Sequence, residues 1–176
     1  MEDKSYKEYL EHITTFVFDV DGVLTDGTIT ITTHGEMLRT MHTKDGFAIK
    51  TAIQQGFHVC VISGGSNEGV RVRLRGLGMT DIYLGVHNKV DQLEEYLDIY
   101  DIKAENVLYM GDDIPDIHVM KRVGLPCCPQ DAVPEIKAIS KYVSHKFGGK
   151  GCVRDIIEQV LKVQGKWKSS FDAKYD

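Results

Sequence analysis

The sequence has no apolar run long enough to cross a bilayer. Its longest stretches, such as Phe16–Val20 and Val59–Ile62, fall far short of the ~20 residues a spanning helix needs. It also lacks an excess of positive charge. The 21 Lys and Arg stand against 26 Asp and Glu, a net charge of −5, which argues against nucleic acid as a partner. No CxxC pair occurs. Of the four cysteines, Cys60, Cys127, Cys128 and Cys152, the adjacent pair is wrongly spaced for a zinc knuckle and poorly placed for a mutual disulfide. All four are expected as reduced thiols acting as small core hydrophobes. There is no internal repeat, no low-complexity tract and no Pro/Gly/Ser linker. The first residues lack the charged, apolar and cleavage regions of a signal peptide. The expectation is a soluble, unexported, cytoplasmic protein with no membrane contact.

What is present reads as an ordinary globular chain. Its 176 residues are about one domain's worth on a prior of roughly 100–200, and 42% hydrophobic with 27% charged residues disfavours disorder. Short apolar runs at Phe16–Val20, Val59–Ile62, Ile82–Leu84, Val107–Met110 and, more weakly, Leu125–Cys127 alternate with helical segments. Those segments are Gly46–Gln55, Asn67–Leu77, Lys89–Tyr100, Pro115–Val123, Val133–Lys141 and Val153–Val163. Val90, Leu93, Tyr96 and Leu97 share one helical face. Buried strands alternating with helices predict an α/β fold, a parallel sheet covered on both faces. One segment departs from the alternation. Thr28–Thr33 and Glu36–His42 flank His34-Gly35 and read as a β-hairpin directly after the first strand. An isolated hairpin is marginal in water, so this one needs something to pack on.

In open α/β sheets ligands bind beyond the carboxyl ends of the strands, so the polar residues after each run are the candidates. They are Asp19 and Asp21; Ser63, Gly64 and Gly65; Asp112, Asp113 and Asp116; and Lys89, which opens a helix after Ile82–Leu84. Crowded carboxylates require protons or a cation. Oxygen ligands without His or Cys favour Mg²⁺. Ser63 with its glycines offers a hydroxyl and backbone N–H groups for an anion, and Lys89 adds a positive point charge. Together these suit phosphoryl transfer.

The order Asp19-Val-Asp21-Gly-Val-Leu-Thr-Asp-Gly, Ser63, Lys89, Gly111-Asp112-Asp113-Ile-Pro-Asp116 closely resembles the four motifs of the haloacid dehalogenase (HAD) superfamily of phosphatases, covering about Phe16 to Asp116. That resemblance implies a doubly wound Rossmann-like sheet. It makes Asp19 the nucleophile that forms an aspartyl-phosphate, and Asp21 the acid and then base. Mg²⁺ is held by Asp19, the Asp21 carbonyl and Asp112, and Ser63 and Lys89 grip the phosphoryl group. Asp113 and Asp116 orient the metal shell. Ser63 follows Asp21 by 42 positions, and Lys89 follows Ser63 by 26, too few for a cap domain. The expected layout is one domain over 1–164, with the hairpin at about 27–42, and a tail at 165–176.

Along nearly its whole length the chain is similar to the uncapped family of 3-deoxy-D-manno-octulosonate 8-phosphate (Kdo-8-phosphate) phosphatases. The shared features are Asp19–Gly27, the hairpin, His42–Gly46, Gly111–Asp113 and Gly148-Gly-Lys-Gly151. The resemblance implies hydrolysis of a sugar acid phosphate in lipopolysaccharide sugar supply, and a homotetramer assembled through the hairpins, with a tail that can reach a neighbour's site. It also implies substrate contacts from Asp21, His42, Thr43, Lys44, Asp45, Gly46, Lys50, Gly64, Arg73 and Lys89. One position departs: Gly65 stands where that family commonly has Arg. Nine-carbon acids (2-keto-3-deoxynononate 9-phosphate, N-acetylneuraminate 9-phosphate) therefore stay open as substrates. A phosphoacceptor signalling domain uses the same residue types, but there the lysine comes last, whereas Lys89 precedes Asp112.

Overall fold

The computed structural model describes residues 5–167. The expected reach of the tail into a neighbour therefore lies outside the described residues. The chain enters through α1 (Tyr6–Leu10) and β1 (Thr15–Phe18), then makes a hairpin of β2 (Thr30–Ile31) and β3 (Met37–Leu38). There follow α2 (Thr43–Gln54), β4 (His58–Ile62), α3 (Glu68–Gly76), β5 (Asp81–Tyr83), α4 (Lys89–Tyr100) and β6 (Val107–Met110). The chain closes with α5 (Ile117–Met120), β7 (Leu125–Cys128), α6 (Pro134–Ile139), β8 (Tyr142–Val143) and α7 (Cys152–Val163).

Six strands form one parallel sheet in the order β5-β4-β1-β6-β7-β8. Side chains alternate across it, as the period of two requires. Phe16, Phe18, Val59, Val61, Leu108 and Met110 face one layer with α2, α3 and α7. Val17, Cys60, Ile62, Val107 and Tyr109 face the other, with α4, α5 and α6. All four β1 residues are buried, which is why this strand reads as a continuous apolar run. The four cysteines are free and buried. The doubly wound sheet expected from the alternation of runs is the one that forms, without a cap domain among the described residues.

The elements differ from the expectation in detail. The helix expected at Pro115–Val123 is a 3₁₀ turn, Ile114–Asp116, followed by the single turn of α5. Asp116, at the junction of the two, is buried with its carboxylate on Lys89, Tyr109 and the Asp112 N–H. The helix expected at Val133–Lys141 stops at Ile139, because Lys141 N–H bonds the Pro126 carbonyl (2.9 Å) to begin β8. The hairpin exists but pairs only Thr30 with Leu38 and Ile31 with Met37. It leaves Ile29, Ile31, Met37 and Leu38 exposed, Ile31 by 69%.

The Gly148–Gly151 segment has a packing role. It lies beneath the wide turn that follows β1, with the Gly149 N–H donating to the Val23 carbonyl (2.9 Å). A Cβ on Gly148 would sit 1.9 Å from the Gly22 carbonyl oxygen. That carbonyl and the Thr25 carbonyl, 3.2 Å from the same point, are backbone, so neither yields as a side chain would. Gly148→Ala should therefore destabilise the fold by about 1–3 kcal/mol, read as a lower urea midpoint at unchanged slope.

Candidate active site

Winding to β4 and β5 on one side of β1, then to β6 on the other, places the topological switch at β1, where ligands enter such sheets. Asp19 follows β1, Ser63 follows β4, and Asp112 to Asp116 follow β6. Lys89 is the first residue of α4, whose start is fixed by Asn88 accepting from the Val90 and Asp91 N–H groups. These residues surround a cleft of about 310 Å³ with Asp21, Gly64 and Gly65.

Lys89 sits at the centre. Its Nζ lies 2.9 Å from Asp19 Oδ2 and 2.7 Å from Asp116 Oδ1. Asp116 is buried and also accepts from the Tyr109 hydroxyl (2.9 Å) and the Asp112 N–H (3.1 Å). Asp19 Oδ1 accepts from the Val20 N–H (2.7 Å). Burial works against the Lys89 ammonium, yet Asp19 and Asp116 outweigh it and hold its pKa above the ordinary lysine value. Burial pushes Asp19 up to about 6, with Asp116 adding to the push and Lys89 opposing it. Burial, followed by Asp19 and Asp116, pushes Asp112 up to about 7.

The residues fit a divalent cation. Carboxylate oxygens of Asp19, Asp112 and Asp116 all lie within 4.8 Å of one another. Asp116 already accepts from Lys89, Tyr109 and backbone, so Asp19, with one donor on each oxygen, and Asp112 are the ones with lone pairs to offer a cation. Two such oxygens with no soft ligand beside them match a hard cation that keeps waters. Gly22 has φ +86°, and a Cβ there would lie 1.9 Å from Asp112 Oδ2, so only glycine lets the turn after β1 approach this carboxylate. Ser63 is buried, and its Oγ accepts from the Gly65 N–H (3.2 Å).

Asp19, Asp21, Ser63, Gly64, Lys89, Asp112, Asp113 and Asp116 are thus brought together. Asp113 stands at the rim, exposed, its carboxylate accepting from the Ile114 N–H (2.8 Å). The remaining residues expected at the substrate do not line the cleft of the same chain. His42 caps α2 through the Lys44 N–H (3.2 Å). Asp45 is buried and accepts from the Arg154 N–H at the start of α7 (2.8 Å). Gly46 packs against Arg73. Thr43 and Arg73 line a groove beside the hairpin, His42 and Lys44 line a pocket against α7, and Lys50 is half-buried on α2.

Two cleft residues escaped the sequence reading. Tyr109 looked like a core residue of β6, and nothing in the pattern marks its hydroxyl as a partner of Asp116. Arg39 looked like a hairpin residue. Its guanidinium reaches Asp21 with Nε at 2.7 Å from Oδ1 and Nη2 at 3.3 Å from Oδ2. It lies beside the position that Gly65 leaves without a side chain.

The strand order and the acidic sheet edge define the class, a hydrolase of the haloacid dehalogenase fold. Comparison with known proteins agrees. Residues 76–153 match the family model of haloacid dehalogenase-like hydrolases. The chain is 38% identical over 156 residues to the 3-deoxy-D-manno-octulosonate 8-phosphate phosphatase KdsC of Salmonella typhi, covering 89% of this chain and 83% of that one. The same figures hold for KdsC of Escherichia coli K12. The crystal structure of the Yersinia pestis Kdo-8-phosphate phosphatase superposes with a TM-score of 0.91 at 32% identity, over 94% of this chain and 90% of that one. The Moraxella catarrhalis enzyme, solved with magnesium, phosphate and KDO, gives 0.89 at 30%, over 92% and 93%. This chain belongs to the haloacid dehalogenase-like hydrolase family.

The raised carboxylates set a pH dependence. Folded Asp19 and Asp112 keep protons up to about 6 and about 7, whereas unfolded aspartates lose theirs near ~3.9. The folded state therefore binds more protons between those limits, and stability declines as pH rises through them. In EDTA, the thermal midpoint should fall between about pH 4 and about pH 7, and Asp112→Asn should flatten the decline. A divalent cation should restore more at the upper end, where no proton has to be displaced.

Proposed function

We propose that this chain is a Mg²⁺-dependent phosphatase that hydrolyses Kdo-8-phosphate to Kdo and inorganic phosphate, supplying a lipopolysaccharide sugar. The observation that carries this reading is 38% identity to KdsC across most of both chains, joined to a cleft in which Asp19, Lys89, Asp112 and Asp116 converge. Mg²⁺ would be held by Asp19, the Asp21 carbonyl and Asp112, and would supply positive charge that lets a carboxylate approach a phosphate dianion.

The chain's own residues perform the rest. Asp19 attacks phosphorus in line. The bond from phosphorus to the sugar oxygen breaks as the bond to Asp19 forms. Lys89, held between Asp19 and Asp116, meets the developing charge on the phosphoryl oxygens without reorganising. Ser63 Oγ–H, its oxygen oriented by the Gly65 N–H, holds the phosphoryl group from the neighbouring strand end. Asp21 gives its proton to the departing sugar oxygen and takes one back from water. That water attacks phosphorus, releasing phosphate and regenerating Asp19.

The cleft of one chain is open, and the exposed apolar residues Ile29, Ile31, Met37 and Leu38 support a reading of the hairpin as a contact between copies. A homotetramer assembled there fits the reading. His42, Thr43, Lys44, Asp45, Gly46, Lys50 and Arg73 would then serve substrate only across such an assembly or after rearrangement. No helix among the described residues is long and apolar enough to cross a membrane, in keeping with work in the cytoplasm.

Phosphate release from Kdo-8-phosphate should exceed that from 2-keto-3-deoxynononate 9-phosphate by about tenfold or more in kcat/KM, roughly 1.4 kcal/mol of transition-state discrimination. It should cease in EDTA and in Asp19→Asn. Preference for the nine-carbon ester would move the substrate, and release that survives Asp19→Asn would sink the mechanism. Native mass measurement should find four copies, and Ile31→Asp should yield smaller species by placing a charge in the contact.

A further inference from the structure

The Arg39 side chain is 7% exposed and makes a bidentate pair with Asp21. Both Asp21 oxygens are therefore committed to one guanidinium. The pair fixes the orientation of the carboxylate and takes one lone pair of each oxygen, so turning a protonated oxygen toward a leaving group requires at least one of the bonds to open. The cleft itself suggests what opens it. A Cβ on Gly65 would lie 3.1 Å from Asp21 Oδ2, 3.6 Å from Arg39 Nη2 and 3.7 Å from Ser63 Oγ. The guanidinium, the carboxylate and the hydroxyl thus flank one point that no side chain fills. Lys89, the other cation of the cleft, already faces two carboxylates.

We propose that Arg39 is a substrate-binding residue masked by Asp21, and that an anionic group of the arriving substrate displaces Asp21 from it, freeing that carboxylate for proton transfer only when the cleft is filled. The inference rests on the reading of Asp21 as the proton-transferring group. Guanidinium groups bind carboxylate and phosphate alike through paired N–H donors, so exchanging one anion for another keeps both hydrogen bonds. The geometry favours a swing of the side chain over movement of its backbone. The Met37 carbonyl, two residues before Arg39, accepts from Asn67 Nδ2 (2.8 Å), and Asn67 caps α3, which ties the hairpin stem to the sheet. Arg39 Nη1 also donates to that carbonyl (3.2 Å), so the guanidinium keeps one anchor while its other N–H groups change partner. Two substrate groups share the required chemistry, the phosphoryl group and the sugar-acid carboxylate.

Inhibition constants separate them. With the full chain and Mg²⁺, inorganic phosphate and Kdo are titrated as competitive inhibitors of wild type, Arg39→Gln and Arg39→Lys. In Arg39→Gln at least one constant should rise about tenfold or more, with Arg39→Lys intermediate because it retains charge but not the paired donors. A rise for phosphate identifies the phosphoryl group as the displacing anion, and a rise for Kdo identifies the carboxylate. If both constants stay within about twofold of wild type, the inference is overturned whatever happens to kcat, since a merely structural Arg39 would alter turnover without weakening either anion. Failure of Kdo to inhibit wild type would instead count against the substrate reading, and the phosphate arm would still decide the role of Arg39.

Discussion

One ammonium group shared by two buried carboxylates organises the cleft. Lys89 Nζ lies within 3 Å of both Asp19 and Asp116, and two carboxylates buried this close together need a positive partner between them. The arrangement spends the charge of Asp116 on structure, since Tyr109 and the Asp112 N–H complete its shell. That leaves Asp19 and Asp112 as the negative charge without a full set of partners. Their raised pKa values express the same fact: the protein supplies one positive charge too few, and a cation is the natural complement.

Close backbone approach is the second constraint. Asp116 crowds the space above Gly111, where a Cβ would lie 2.5 Å from its own Cβ, and Asp112 crowds Gly22. Gly148 and Gly149 brace the same turn from beneath. The hairpin is tied into this arrangement by two residues, Asn67 at its stem and Arg39 in the cleft. The insertion that exposes Ile31, Met37 and Leu38 also delivers a cation to Asp21, so an apolar surface and a charge in the cleft come from a single short element.

Much of this was legible in the residue pattern. Strands buried on both faces are continuous apolar runs, and β1, β4 and β6 announce themselves in that way. Asp19, Ser63 and Asp112 follow those runs directly, so the rule that ligands gather at strand ends finds them. Other parts have no such signature. β8 has two residues and α1 five, too short for a period to register. The family resemblance makes Asp45 a substrate contact, whereas its side chain is buried against the start of α7. His42 reads as a ligand contact, yet its ring nitrogen caps α2.

The sequence by itself determined the alternation of strands and helices, the residue types at each strand end, and hence phosphoryl chemistry, because these depend on local period and on the order of residues along the chain. Tertiary structure alone decided which charges neutralise one another. That Lys89 is shared by Asp19 and Asp116, that Asp112 is left over, and that Arg39 holds Asp21 follow from distances between residues far apart in the chain. Electrostatic interaction depends on separation and burial, and neither quantity is written in the order of the residues.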